Sequence, residues 1–290
     1  MIDAAAVTCL QVEATTKCNA WCPGCGRNQG GFELADGLVI EDLDVDRYKE
    51  ILNQFPNLKT VDFCGTYGDA IAAANIVELV DVTKQHVDKI IVRTNGSLRT
   101  VAWWNEYAEL LKDIDHEVWF CLDGLEDTHS IYRQGTDYNK IIANAQAFIG
   151  AGGTAVWQFI PWAHNEHQIK DCIKLSQKLG FKRFELKQRV RDNFEARHYQ
   201  TGAPIEIRNW SQNTKYNVLK LEKNVVHKEN CMHLTLPSMY LHSNGQLNVC
   251  CFFNRHGAKD SLSELPDIQN HIDNPAQLLD VCRNSCSRDH

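Results

Sequence analysis

The sequence lacks the features that direct a chain into or across a membrane. It opens MIDAAAVTCL, with an acid at Asp3 and no basic region ahead of a long apolar stretch, so no secretory signal is visible. No uncharged apolar run approaches the roughly 18 residues needed to span a bilayer. Excess positive charge is also missing, because the formal net charge is −7 at pH 7. We therefore expect a cytoplasmic protein with no membrane partner and no generic nucleic-acid binding.

Cysteine, by contrast, is abundant, with 12 residues in a chain of 290. In a reducing compartment, cysteines serve as metal ligands or small buried apolar groups more often than as disulfides. A chain of this length can bury a sizeable core without such bridges. The positions of the cysteines therefore carry the information about function.

The first two thirds of the chain repeat one rhythm, an apolar extended run followed by an amphipathic helical stretch. The strand candidates are Val7–Thr15, Thr60–Cys64, Lys89–Thr94, Glu117–Leu122, Thr154–Ile160 and Arg183–Val190. The helix candidates are Asp46–Gln54, Asn75–Gln85, Val101–Lys112, Asn139–Ile149 and Glu166–Leu179. This alternation predicts an α/β fold of parallel strands, either a doubly wound sheet or an open part of a (β/α) barrel. Both architectures place function at the carboxyl ends of the strands.

The rhythm stops near residue 200, and the composition changes after that point. Residues 201–230 are polar and are interpreted as a connecting segment. Residues 231–290 contain five of the 12 cysteines and too few apolar residues for a core of their own. Within them, residues 237–251 are typical of a β-hairpin with a Ser-Asn-Gly turn ending at Gly245. We predict a barrel domain over residues 1–200 and a small metal-dependent domain of hairpin and helix at the carboxyl end.

The strongest local signal is a loop with three cysteines, Cys18, Cys22 and Cys25, directly after the first predicted strand. Thiols at this spacing can converge on one metal centre. A tetrahedral zinc site needs a fourth ligand, yet the next cysteine, Cys64, and the first histidine, His86, lie far along the chain. Soft thiolates with one position unfilled suit an iron–sulfur cluster that keeps one iron open. The alternative is a loop whose thiols are incidental or bind zinc.

This loop resembles the C-x3-C-x2-C signature of the radical S-adenosylmethionine (SAM) superfamily. After the second predicted strand comes a segment similar to the family's glycine-rich, acid-terminated loop that holds the amino group of SAM. Its residues are Gly65, Thr66, Tyr67, Gly68 and Asp69. The later landmarks, in the same order as in the family, are Thr94, Asn95, Asp123 and Arg133. The resemblance implies that groups at these strand ends bind the ribose and methionyl carboxylate of SAM. It also implies a partial (β/α)6 barrel of the TIM type.

The resemblance further implies a division of labour between cofactor and protein. Cys18, Cys22 and Cys25 would hold three irons of a [4Fe–4S] cluster, and SAM would bind the fourth. One electron, from a flavodoxin- or ferredoxin-type donor, would cleave SAM to methionine and a 5′-deoxyadenosyl radical. That radical would take a hydrogen atom from a C–H bond of the substrate.

The cysteines near the carboxyl end form a second pattern, which resembles the SPASM/twitch extension of radical SAM enzymes. That extension binds auxiliary [4Fe–4S] clusters. The resemblance implies one such cluster, held by Cys231, Cys250, Cys282 and Cys286, with Cys251 spare. The alternative is a structural zinc ribbon held by four thiolates.

Two residues of the fourth predicted strand are candidates for setting the reaction. Alternation places Cys121 and Asp123 on one face, because strand side chains repeat every two residues. A thiol at Cys121 could return a hydrogen atom to a substrate radical, as an epimerisation requires. The alternative is a small core residue, which is also how we interpret Cys9, Cys64 and Cys172.

The end of the sixth predicted strand is basic. Glu185, Lys187, Arg189 and Arg191 share one face by alternation. If that face is interior, Arg189 offers a catalytic or binding contact to a carboxylate or phosphate; if it is exterior, the run is a solvated surface. Further candidate substrate contacts, at the end of the fifth predicted strand, are Gln158, His164 and Asn165.

From these signals we expect a radical SAM enzyme that abstracts a hydrogen atom from a small, anionic or carbohydrate-like substrate, with oxidation or epimerisation as the outcome. One alternative is a radical SAM enzyme that modifies side chains of a peptide or protein. The other is a non-catalytic protein that binds an iron–sulfur cluster or zinc.

Overall fold

The computed structural model describes residues 3–187, 194–211 and 238–248. Its strands are β1 (Cys9–Val12), β2 (Asn28–Gln29), β3 (Glu33–Leu34), β4 (Thr60–Phe63), β5 (Lys89–Thr94), β6 (Asp115–Cys121), β7 (Ala155–Phe159), β8 (Arg183–Leu186), β9 (Phe194–Arg197), β10 (Pro204–Ile207), β11 (Ser238–Leu241) and β12 (Leu247–Asn248). Its α-helices are α1 (Val45–Leu52), α2 (Ile76–Lys84), α3 (Val101–Leu111), α4 (His129–Tyr132), α5 (Tyr138–Gly150) and α6 (Ile169–Lys178). Short 3-10 helices cover Ala4–Ala6, Ala70–Ala72 and Glu166–Gln168.

One sheet of eight strands, in the order β12-β11-β1-β4-β5-β6-β7-β8, forms the centre of the molecule. All neighbours are parallel except β12, which turns back antiparallel to β11. The six strands from β1 to β8 lie in chain order, so every crossover advances in the same direction. Crossovers between parallel strands are almost always right-handed, and crossovers that all advance in one direction place the helices on one face of the sheet, as in an open barrel. The predicted α/β partial barrel is confirmed, and the doubly wound alternative, which needs a reversal of strand order, is wrong.

The two faces of the sheet differ in chemistry because strand side chains alternate. The helix-covered face is apolar and belongs to the main core; it includes Leu10, Val61, Val92, Phe120 and Phe159. The opposite, concave face carries Gln11, Asp62, Arg93, Trp119, Cys121 and Gln158. The barrel therefore has a polar interior face, and its apolar face packs against the helices.

Three helices begin at capping residues. These caps fix the point at which each loop at the carboxyl edge of the sheet ends and its helix begins. The side chains of Asp44, Thr100 and Asp137 each accept the backbone N–H three residues further on, at the starts of α1, α3 and α5. A side-chain acceptor at this position satisfies one of the helix's unpaired N–H groups. The sequence thus sets the length of these loops locally.

The antiparallel pair β9–β10 crosses the predicted boundary at residue 200. Ile207 in β10 is fully buried in a second apolar cluster with Cys22, Tyr132 and Trp162. The first part of the predicted connecting segment is therefore a strand, because its alternating isoleucines pack beside the cysteine loop. This strand was not predicted, because the residues around it are polar.

The hairpin predicted within residues 237–251 is present as β11 and β12, with a turn at residues 243–245 and Gly245 at φ 80°. It is not set apart from the barrel, since β11 pairs in parallel with β1. The proposed domain division remains a prediction. Several candidate residues lie outside the described ranges: Arg189, Arg191, Cys231, Cys250, Cys251, Cys282 and Cys286. Across the described ranges, no helix combines the length and apolar character needed to cross a membrane.

Candidate metal and cofactor site

The cysteine loop leaves β1 and runs along the carboxyl edge of the sheet. The Cys25 N–H bonds the Cys22 carbonyl at 3.1 Å, and the Trp21 N–H bonds the Gln134 carbonyl at 2.8 Å. Cys22 is buried, whereas Cys18 and Cys25 are half-buried, and all three are free thiols. The loop therefore presents its three sulfur atoms beside the loops that follow the neighbouring strands.

Each thiol sulfur receives a hydrogen bond from the protein. The Ala20 N–H lies 3.3 Å from the Cys18 sulfur, and the Arg27 N–H lies 3.4 Å from the Cys25 sulfur. The Arg133 guanidinium lies 3.8 Å from the Cys22 sulfur. Donors of this kind stabilise thiolate ligands and tune the clusters that they bind.

Burial disfavours the charged form of these thiols when no metal is bound. It raises the pKa of Cys18, and it raises the pKa of Cys22 to about 12, although Arg133 acts against the second shift. A bound cation would reverse this effect, because a coordinating thiol is deprotonated. Without a metal, the thiols of Cys18 and Cys22 are therefore protonated and neutral near pH 7.

The donor set fits an iron–sulfur cluster by its chemistry: three soft thiols in one loop, with N–H groups aimed at sulfur. In the described part of the chain, however, no three His, Cys, Asp or Glu side chains are arranged to hold one metal ion. The assignment of Cys18, Cys22 and Cys25 as cluster ligands remains a prediction.

The loop after β4, residues 65–69, packs tightly against the chain that leaves β1. A Cβ at Gly68 would collide with the Thr15 carbonyl, so only glycine permits this approach. The Tyr67 N–H bonds the Glu13 carboxylate at 2.7 Å, and the Asp69 N–H bonds the Lys17 carbonyl at 2.9 Å. The predicted SAM loop and the cysteine loop are therefore in direct contact.

The carboxylate of Asp69 is buried and accepts three hydrogen bonds from the protein. Its donors are the Ile71 N–H at 3.0 Å, the Thr94 hydroxyl at 3.1 Å and the Asn95 N–H at 2.6 Å. Burial raises the pKa of Asp69, and these hydrogen bonds oppose the rise. Asp69 thus joins the loops after β4 and β5, which leaves little acceptor capacity for the amino group of a ligand.

Asn95 connects the loop after β5 to the cysteine loop. Its side-chain amide donates to the Asn19 side chain at 2.9 Å and lies 3.8 Å from the Cys18 sulfur. The Thr94 hydroxyl also accepts the Gly96 N–H at 2.9 Å. The structure therefore brings the predicted residues after β4 and β5 to the first cysteine.

After β6, Asp123 and Arg133 form a buried ion pair. The Arg133 Nε lies 2.6 Å from Asp123 Oδ2, and the Ile160 N–H donates to Asp123 Oδ1 at 2.7 Å. Burial raises the pKa of Asp123, and the Arg133 charge acts against that rise. Because the guanidinium also reaches Cys22, this pair links the loops after β6 and β7 to the cysteine loop.

The concave face supplies the groups below this edge. The Cys121 thiol donates to the Gln158 side chain at 3.2 Å, so these two predicted residues meet. Burial raises the pKa of Cys121.

Arg93 also lies on the concave face, a placement that the sequence analysis did not predict. It makes a bidentate pair with Asp62 and lies 4.0 Å from the centre of the Trp119 ring. The sequence signal for Arg93 is the alternation within β5, which places it on the face opposite Ile90 and Val92.

Other predicted residues fall in different surroundings. The Asn165 side chain bonds the Asp123 and Ile160 carbonyls, both at 3.1 Å, so it holds the loop after β7. Burial lowers the pKa of His164 to about 4, which keeps its ring neutral near pH 7. Cys9 and Cys172 are buried as expected, but Cys64 is half-buried.

Comparison with known proteins supports the fold. No family model and no curated protein matches the chain. Among solved structures, Streptococcus suis SuiB bound to S-adenosylmethionine superposes with a TM-score of 0.65 at 15% identity, over 94% of this chain and 67% of that chain. SuiB bound to the precursor peptide SuiA has a TM-score of 0.65 at 14% identity, over 94% of this chain and 66% of that chain. Native anSMEcpe with bound AdoMet has a TM-score of 0.60 at 15% identity, over 87% of this chain and 76% of that chain.

These similarities define the class of fold, an open parallel α/β barrel that is also found in proteins that bind S-adenosylmethionine. The identities are low, so the likeness is one of fold. The chain spans about two thirds of the length of the SuiB structures.

Proposed function

We propose that the protein is a radical SAM enzyme whose [4Fe–4S] cluster is held by Cys18, Cys22 and Cys25. The observation that carries the proposal is the meeting of this three-thiol loop with the Asp123–Arg133 pair and with residues 65–69 at one edge of the barrel. SuiB and anSMEcpe, which share the fold, bind S-adenosylmethionine.

The protein groups divide the work of binding and orientation. Arg133 can hold a carboxylate such as that of methionine, since a guanidinium forms bidentate pairs, and Asp123 fixes its position. When bound, the cluster and SAM supply a carbon-centred radical that takes a hydrogen atom from a C–H bond.

The substrate is either a small molecule, as the sequence predicts, or a peptide. Arg93 and Arg183, the arginines described on the concave strands, pair with Asp62 and Glu117 respectively, which weakens the case for a purely anionic substrate. SuiB was solved with its precursor peptide SuiA, and anSMEcpe with the Cp18Cys peptide. We therefore propose side-chain modification of a peptide as the second candidate function.

Further parts of the proposal come from the sequence. Cys231, Cys250, Cys282 and Cys286 hold an auxiliary [4Fe–4S] cluster, in a domain of SPASM/twitch type. A flavodoxin- or ferredoxin-type protein supplies the electron. Iron and sulfide quantitation distinguishes this arrangement from a zinc ribbon, because zinc brings no sulfide.

Anaerobic reconstitution tests the central claim. With SAM and dithionite, the loaded protein should release methionine and 5′-deoxyadenosine. Replacing Cys18, Cys22 and Cys25 by alanine should abolish this product and remove about four irons per chain. The matched control is Cys172→Ala, which removes a fully buried thiol from the apolar core and should leave the product in place. A fully loaded wild-type protein that forms no 5′-deoxyadenosine would refute the proposal.

We propose Cys121 as the hydrogen donor if the reaction is an epimerisation. The Cys121 thiol lies on the concave face and donates to Gln158. The proton of a thiol can be replaced by deuterium from D2O. In D2O without substrate, the radical should take deuterium from the S–D group to give monodeuterated 5′-deoxyadenosine, and dithionite then reduces the thiyl radical. Cys121→Ala should lower the deuterated fraction, whereas an unchanged fraction assigns Cys121 to the core.

A further inference from the structure

The hairpin formed by β11 and β12 reaches the predicted SAM loop through a buried tyrosine. Tyr240 lies in β11 opposite Gln11 of β1 and is fully buried. Its hydroxyl accepts the Thr66 N–H at 3.0 Å and lies 3.0 Å from the Thr66 hydroxyl. These two hydrogen bonds join segments that are 174 residues apart in the chain.

Thr66 also contacts the cysteine loop. The Cys25 thiol donates to the Thr66 carbonyl at 3.8 Å. The backbone of Thr66 therefore lies between Tyr240 on one side and the third predicted cluster ligand on the other. A shift of the loop at Thr66 would change the surroundings of Cys25.

The same hairpin supports the neighbouring residue of the loop by a second route. The Glu13 carboxylate accepts the Tyr67 N–H at 2.7 Å, and its other oxygen lies 3.8 Å from His242 Nδ1. The opposite ring nitrogen of His242 is 2.9 Å from the Asn248 side chain in β12. Glu13 and His242 are both fully buried, so this contact is shielded from water.

We propose that the β11–β12 hairpin positions residues 65–69 against the cysteine loop, and that Tyr240 is the positioning residue. The inference rests on the proposed function, because the property that it controls is the affinity for SAM. Two hydrogen bonds to one residue fix both the backbone and the side chain of Thr66. Tyr67 and Asp69 are held separately, by Glu13 and Lys17, so the hairpin supplies the constraint at Thr66.

The test compares Tyr240→Phe with Tyr48→Phe in the full-length protein. Tyr48 is a matched control, since its fully buried hydroxyl bonds the Thr83 hydroxyl at 2.8 Å, between α1 and α2 and away from the sheet edge. Both variants lose a hydroxyl from a buried tyrosine–threonine contact. Only the first loses contacts to the SAM loop.

The first readout needs neither cluster nor SAM. In the metal-free protein, amide hydrogen exchange over residues 65–69 should become about 10-fold faster in Tyr240→Phe, because opening of this loop costs less free energy. In Tyr48→Phe, exchange should quicken in α1 and α2 and stay unchanged in the loop. Equal loop exchange in the wild type and in Tyr240→Phe overturns the inference.

The second readout uses the reconstituted enzyme. For reductive cleavage of SAM, Tyr240→Phe should raise the KM for SAM about 10-fold, with kcat and iron content within about twofold of the wild type. Tyr48→Phe should change none of the three. A lower kcat at unchanged KM, or equal effects in both variants, overturns the inference. If the loaded wild type releases no 5′-deoxyadenosine, the proposed function fails as well, and the exchange result then separates the two failures.

Discussion

The cysteine loop and the loops after β4 and β6 meet at one edge of the sheet, but the protein holds them differently. We call Asp69, Asp123 and Arg133 the ionic frame. Its carboxylates bond protein donors at 2.6 to 3.1 Å, which is short and strong. Among the described residues, the thiols of the cysteine loop have contacts at 3.3 to 3.8 Å, and sulfur is a weak hydrogen-bond donor and acceptor. We therefore expect the frame to be complete in the metal-free protein and the cysteine loop to depend on a bound cluster for its final geometry.

The largest expected effect comes from removing the cation of the frame. Arg133→Met leaves the Asp123 carboxylate buried without its counter-charge, which should lower the free energy of unfolding by about 3–5 kcal/mol. Urea denaturation of the metal-free protein at pH 7 measures this loss. Arg208→Met is the control, because Arg208 and its partner Glu206 are both largely exposed, and it should leave the unfolding midpoint unchanged.

The same variant has a predicted pH dependence. Burial raises the pKa of Asp123, and the Arg133 charge limits that rise, so the variant should raise it further. An acid whose folded pKa lies above its unfolded pKa destabilises the fold above that folded value. The loss in Arg133→Met should therefore shrink as the pH falls through this raised pKa. A loss that stays constant from pH 8 to pH 4 would show that packing, not charge, causes it.

A smaller effect is expected at the other carboxylate of the frame. In Asp69→Asn, one of the two oxygens becomes an NH2 group that faces a donor, since Oδ1 accepts Ile71 and Oδ2 accepts Thr94 and Asn95. The free energy of unfolding should fall by about 1–3 kcal/mol. Asp137→Asn is the matched control, because Asp137 accepts one N–H at the start of α5 and asparagine caps equally well. Equal losses in the two variants would contradict the special role of Asp69.

The partial barrel could be predicted because its signals are local. The run Lys89–Thr94 alternates between faces and matches β5 in full, and the helices begin at capping residues. The partners of Asp69 could not be predicted, because they depend on how two loops fold over neighbouring strands. The contact between Tyr240 and Thr66 joins residues that are even further apart in the sequence. It forms because β11, which follows all the barrel strands in the chain, pairs beside β1. Sequence spacing thus predicts which thiols of the loop are ligands, but it does not predict the groups that orient them.

The smallest loss of stability is expected from a substitution in the cysteine loop, and it would show that the metal-free protein depends less on this loop than on the frame. The Cys25 thiol is half-buried, and its contacts to Arg27 and Thr66 involve sulfur, which is a weak hydrogen-bond donor and acceptor. Cys25→Ala should therefore change the unfolding free energy of the metal-free protein by no more than about 0.5 kcal/mol. After anaerobic reconstitution, the wild type should gain stability from its bound cluster, and the variant should gain less. A metal-free variant as unstable as Asp69→Asn would show that the protein, and not a metal, orders this loop.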